Sequence, residues 1–211
     1  MKAILFFPAI LLLTLSCGQN ENSDKKEKNG SGIVETASQK VNENKPSGRM
    51  FDIKAAKVDF NYTGGPETGT ETLYFDNYGE VAVLIVYKKS KYSVTNQTTI
   101  WKDKKSTIID HEKKTIVKSP WRPKATEPTA LANTDEQTRK NIGYEKLADE
   151  SIAGKKCEVW FNAKQNFKYC LWNKIGLKEV LGTSINKEAT AVEEITEIPA
   201  SVIEIPKDYK Q

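Results

Sequence analysis

The chain reads as a mostly β protein built on a meandering antiparallel sheet. Three observations carry this. Short runs rich in Val, Ile, Tyr, Phe and Thr recur between residues 50 and 205, turn-forming residues separate them, and one segment alone carries a helix start signal. Residues 50–62 alternate loosely and end at Thr63-Gly64-Gly65-Pro66, which tolerate or fix unusual φ. Residues 70–75 form the next run, before Asp76-Asn77-Tyr78-Gly79. Residues 80–88 hold Val81, Val83, Ile85 and Val86, the densest β-branched stretch, expected as a central strand. Residues 92–102 follow, and residues 106–109 and 115–118 flank a polar turn at Asp110-His111-Glu112-Lys113. Residues 119–132 carry Pro120, Pro123 and Pro128 and are expected to run irregularly over the sheet. Thr134-Asp135-Glu136-Gln137 has the form of a capping box, so a helix is expected to about Ile142, stopping at Gly143. Residues 144–149, 151–161, 167–172, 177–184, 188–198 and 202–205 complete the expected sheet.

The N-terminus has a different composition. Met1 and Lys2 precede an almost uninterrupted apolar run from Ala3 to Leu15. That run falls short of the ~20 residues a spanning helix needs, so it reads as a secretory signal. Leu13-Thr14-Leu15-Ser16-Cys17 resembles the bacterial lipoprotein processing site. The resemblance implies cleavage before Cys17 and a lipid on that cysteine, and the absence of an acid in Gly18-Gln19 implies the outer membrane. The expected organisation is a signal peptide over 1–16, a lipidated tether over 17–48 and a single β-rich domain over 49–211. The tether has no aromatic residue, and five lysines face five acids. Such a segment cannot bury enough apolar surface to offset its ordering entropy, and as a coil it would hold the domain roughly 30 Å from the lipid.

Charge and cysteine usage narrow the function. The net charge is only +4, and a general nucleic-acid binder would be expected to show a stronger basic excess. The charges are nonetheless segregated. Between Lys88 and Lys124 eleven basic residues face three acids, and from Glu179 to Asp208 seven acids face two lysines. A basic face could meet lipid phosphates or an acidic polysaccharide, while solvated turn lysines that protect strand edges explain the same residues. With Cys17 assigned to lipid, Cys157 and Cys170 remain as a pair in an oxidising compartment. Residues 156–161 and 167–172 read as a hairpin. If Phe161 faces Asn166 across it, Cys157 faces Cys170 and a disulfide bridges neighbouring strands. Free buried thiols or a redox pair are the alternatives, although the spacing lacks a C-x-x-C arrangement and histidine ligands for a metal.

Three strings carry a wider resemblance: Ile100-Trp101-Lys102-Asp103-Lys104-Lys105 through Ile109-Asp110, Gly143-Tyr144-Glu145-Lys146-Leu147 with Ile152-Ala153-Gly154-Lys155-Lys156-Cys157, and Trp172 through Leu177-Lys178. Together they resemble the outer-membrane lipoprotein-sorting superfamily, over roughly residues 51–209. The resemblance implies a curved antiparallel sheet or half-open β-barrel, with one or two short helices over it and an apolar concave face that holds acyl chains in relatives. It brings no catalytic residues.

The residues themselves offer little chemistry. His111, beside Asp110 and Glu112 with Ser106 nearby, sits on one hairpin tip, where a solvated turn is the simpler account than a hydrolase site. Glu193 and Glu194 are adjacent and face opposite ways on a strand, and Glu197 lies toward its end. Gly-rich phosphate loops and nucleophile elbows are absent. Trp101, Trp121, Trp160 and Trp172, with Phe51, Phe60, Tyr74 and Tyr92, are expected in the interior or lining a cleft. No cofactor, no metal, no catalytic residue and no nucleic-acid partner is expected. The expectation is a non-enzymatic, lipid-anchored envelope protein that meets the membrane through its N-terminal lipid and binds an apolar ligand or an envelope partner. A structural or assembly factor with a filled core, acting through its surface, is the alternative.

Overall fold

The computed structural model describes residues 49–120, 127–183 and 185–211. The expected signal peptide, Cys17, the tether and Trp121 lie outside them. Six strands come first: Ala56–Tyr62 (β1), Glu67–Asp76 (β2), Val81–Ser90 (β3), Val94–Lys102 (β4), Lys105–Asp110 (β5) and Thr115–Pro120 (β6). Helices Glu127–Ala132 (α1) and Glu136–Asn141 (α2) follow, then Glu145–Lys146 (β7), Glu150–Ile152 (β8), Lys155–Asn162 (β9), Phe167–Trp172 (β10), Ile175–Leu181 (β11) and Ile185–Glu194 (β12).

All twelve strands join one sheet in the order β6-β5-β4-β3-β2-β1-β12-β11-β10-β9-β7, with β8 also on β9. The named strand pairs are antiparallel. Two meanders therefore meet where β1 pairs with β12, and β6 and β7 remain as the ends of an open sheet. Bulges at Asp59/Phe60 against β12 and at Cys170/Leu171 against β11 bend it. The two-residue hairpins at Asp103-Lys104, Ala153-Gly154 and Asn173-Lys174 have both central φ positive. That is the turn geometry whose twist matches the strands it joins.

Several expectations are corrected. The proline-rich stretch does contain a helix: Pro128 sits in the first turn of α1, where its missing N–H leaves no intrahelical bond unmade. Asp135, not Thr134, caps α2, accepting from the Thr138 amide at 2.8 Å, and hydrogen bonding from the Thr138 hydroxyl and amide lowers its carboxyl pKa. The Ala153-Gly154 turn splits the run expected over 151–161 into β8 and β9. Residues 202–205 form no strand; a short 3-10 turn at Ala200–Val202 stands there instead.

Among the described residues the core forms three clusters. One gathers Ala56, Val58, Phe60, Phe75 and Ala82 with Cys157, Val159, Cys170 and Leu177. Residues from β3 and β9, far apart in the sheet order, share a cluster only if the sheet curls with that face inward. The second packs Val83, Ile100, Ile109 and Ile116 on the opposite face of β3–β6 under Ile198, with Val202, Ile203 and Tyr209 of the C-terminal segment. The third holds Trp160, Tyr169 and Leu171 with Leu131 of α1 and Tyr144. The Cys157–Cys170 disulfide is present within the first cluster, with Cα atoms 5.4 Å apart. Its register differs from the expected one: Asn162 faces Phe167 and Cys170 faces Val159, so the bridge crosses the strands diagonally.

Candidate functional site

Strand register sorts the side chains of the first meander. On the inward face, Leu73, Leu84, Thr99, Ile108 and Val117 stand opposite one another across β2 to β6. Phe75, Ala82, Trp101, Ser106 and Ser119 form the row beside it, and Glu71, Val86, Gln97, Asp110 and Thr115 the row on its other side. Glu71, Phe75, Ala82 and Ser106 are buried, whereas Leu73, Leu84, Val86, Trp101 and Ile108 are half-buried and Val117 is 56 % exposed. The back of the same strands is covered by the C-terminal segment. The C-terminal segment packs on one face of β3–β6, and the other presents a part-exposed apolar strip.

At one end of that strip lies a buried charge cluster that sequence reasoning missed. Glu71 alternates with Leu73 and Phe75 and so points inward, and Lys187 alternates with Ala189. Pairing then sets Lys187 opposite Tyr62 on one side and Glu179 on the other. The Lys187 ammonium lies 3.2 Å from Glu71 and 2.5 Å from Glu179, and 4.8 Å from the centre of the Phe60 ring. The Tyr62 hydroxyl donates to Glu71 at 2.5 Å. Opposite Tyr62 stands Gly69, and opposite Gly69 stands Lys88. With no side chain between them, the Lys88 ammonium reaches 3.8 Å from the Tyr62 ring centre.

Electrostatics follow from this crowding. Burial pushes the Glu179 carboxyl above its ordinary value, opposed by the charge of Lys187. Burial pulls the Lys187 ammonium down, but Glu179 and Glu71 outweigh it and hold it above its usual value. Burial, then the charge and hydrogen bond of Glu71, push the Tyr62 phenol far up. An ammonium kept protonated between two carboxylates is no nucleophile. The arrangement ties β2 to β11 and β12 across β1.

The residues singled out from sequence are placed as follows. His111 and Ser106 do not meet. The His111 Nε2 pairs with the Thr98 hydroxyl at 2.9 Å and its Nδ1 with the Tyr209 hydroxyl at 3.3 Å, so it clamps the C-terminal segment. Ser106 pairs with Ser119 at 2.7 Å. Glu194 pairs with Lys155 at 3.0 Å, and Glu197 lies beyond the end of β12. Trp160 is fully buried, while Tyr92, expected in the interior or lining a cleft, is 87 % exposed at a hairpin tip. Among the described residues, no group of three or more His, Cys, Asp or Glu side chains is placed to hold a metal, and no helix is long and apolar enough to cross a membrane.

No protein-family profile matches the chain, and no curated protein matches it. Among solved structures it is similar to an uncharacterized conserved protein from Thermus thermophilus, at 9 % identity and TM-score 0.50, over 74 % of this chain and 88 % of that one. It is also similar to MucB, at 11 % identity and TM-score 0.48, over 77 % of this chain and 61 % of MucB. MucB in the Pseudomonas aeruginosa MucA/MucB complex gives 10 % identity, TM-score 0.49, and 77 % and 59 % coverage. At such identities the likeness to the Thermus protein concerns the fold.

Proposed function

We propose that this chain is a non-enzymatic lipoprotein of the cell envelope, anchored through an acyl-modified Cys17 in the outer membrane, whose inward sheet face takes up an acyl chain or another apolar ligand. The observation that carries the reading is the strip of Leu84, Trp101, Ile108 and Val117, left part-exposed on an open sheet whose reverse face is covered. Apolar surface of this kind, rimmed by polar groups and set in the curl of a rigid sheet, is where ligands are held. The lipoprotein-type Leu13–Cys17 string and the sequence resemblance to lipoprotein-sorting proteins support both halves of the reading. The use of His111 as a clamp on the C-terminal segment, and the locking of Lys187 between two carboxylates, support a binding role.

Two measurements on chain purified from its own cells test it. Intact mass should show an acyl addition that disappears in Cys17→Ser, and native mass spectrometry should show co-purifying lipid removed by organic extraction. An unmodified mass, together with an empty protein under gentle conditions, would overturn the proposal.

A further inference from the structure

A second surface, away from the apolar strip, has its own chemistry. The β3–β4 hairpin tip, residues 87–95, holds Lys88, Lys89 and Lys91 and no acid. Tyr92 is 87 % exposed, Tyr87 45 % and Val94 43 %. Register puts Tyr87, Lys89 and Val94 on one face, opposite to Lys88, which is taken up by the Tyr62 ring. The tip is held by its own hydroxyl: the Tyr92 and Ser93 amides donate to the Ser90 Oγ at 3.1 and 3.0 Å, and the Ser90 amide donates to the Ser93 carbonyl at 2.9 Å. The Lys91 ammonium sits 5.3 Å from the Tyr92 ring centre.

The neighbouring β5–β6 turn extends the same end of the sheet. The His111 amide donates to the Asn96 carbonyl at 2.9 Å, and the Lys210 amide to the Lys114 carbonyl at 3.0 Å, which brings Lys114 and Lys210 alongside. The acids at this end are Asp110, paired with Lys113 at 3.1 Å, Glu112, which accepts from Asn96 at 3.3 Å, and the exposed Glu67 and Asp208. Lysines without acids thus mark the hairpin itself, interleaved with the exposed rings of Tyr87 and Tyr92, while charges are mixed on its flank.

We propose that this tip is a docking surface for an acidic polysaccharide. Ammonium groups suit the repeated carboxylates of such a polymer, and an exposed phenol ring offers a flat face to the C–H face of a sugar with a hydroxyl at its edge. A membrane surface is the other polyanion that lysines can meet. Entry into hydrocarbon calls for an apolar wedge, however, and here Val94 is the lone aliphatic residue among Tyr87, Ser90, Tyr92, Ser93 and Thr95.

The test uses the full chain with Cys17→Ser, so that no lipid anchor contributes. Binding is measured to polygalacturonate, to neutral dextran, and to phosphatidylcholine vesicles with and without phosphatidylglycerol. The expected result is binding to polygalacturonate over dextran, weakened by salt, with Tyr92→Ala and the Lys89→Gln/Lys91→Gln pair each losing on the order of ten-fold in affinity. All these side chains lie on an exposed turn, and circular dichroism confirms that the variants remain folded. Equal binding to dextran, binding to anionic vesicles without binding to the polymer, or unchanged affinity in both variants would overturn the proposal. None of these outcomes depends on whether the inward face holds an acyl chain.

Discussion

Lys187 is the residue on which most depends. Replacing it with Met leaves Glu71 and Glu179 facing each other in a buried site, and loss of one partner from such a group costs about 3–5 kcal/mol. Urea unfolding should show that loss at neutral pH. The pH dependence has a definite sign. Glu179 has a folded pKa raised above its unfolded value of 4.5, so its contribution to stability is full below that value and is lost as pH rises through the folded one. Lys187 is raised above 10.5, so its contribution is intact until strongly alkaline pH. Without the ammonium, Glu179 rises further, and the Lys187→Met defect should shrink as pH falls. Adding Glu71→Gln and Glu179→Gln to Lys187→Met should recover most of the stability and flatten the pH profile. None of this cluster was read from the sequence, although the alternation of Glu71 with Leu73 and Phe75 is a signal that could have found it. The contact with Lys187 was not legible, because Lys187 lies 116 positions away and only the β1–β12 pairing brings the two together.

At the level of elements, most strands were readable and register was not. The hairpin over Cys157 and Cys170 was visible from its two β-prone runs. Its turn takes four residues, Ala163 to Asn166, which shifts the pairing so that the cysteines meet diagonally. The expected pairing of Phe161 with Asn166 also leaves four residues; the turn's placement one residue later, which composition does not specify, decided that outcome. The C-terminal segment misled for another reason: Val202 and Ile203 are apolar because they cover the back of β3–β6, not because they extend a sheet. Pro128 reads as a breaker yet is compatible with the first turn of α1. Two outcomes follow at this scale. Replacing both Cys157 and Cys170 with Ser should cost about 3 kcal/mol, as expected from freeing a loop of this length in the unfolded chain, measured by denaturant unfolding. Gly69→Ala should be costly, because its Cβ would stand 2.0 Å from the Tyr87 carbonyl oxygen and force β2 from β3. A loss of about 1–3 kcal/mol, read from the thermal or urea midpoint, would report it.

The described residues form two antiparallel meanders joined at β1 and β12, with a charge cluster across the joint and helix α1 and a C-terminal strap over other faces. Under the proposed function the inward side of β3–β6 takes the apolar guest, and Trp101 belongs to that part-exposed strip. Placing a charge there with Ile108→Glu or Val117→Glu should abolish acyl-chain binding while the fold survives, since both side chains are incompletely buried. The most direct measurement is quenching of tryptophan fluorescence by a brominated fatty acid, in the wild type and in Trp101→Phe, Ile108→Glu and Val117→Glu. The account predicts saturable quenching that an unlabelled fatty acid reverses, that largely disappears in Trp101→Phe, and that is lost with either glutamate. Absent quenching, or quenching unchanged by all three substitutions, would contradict it.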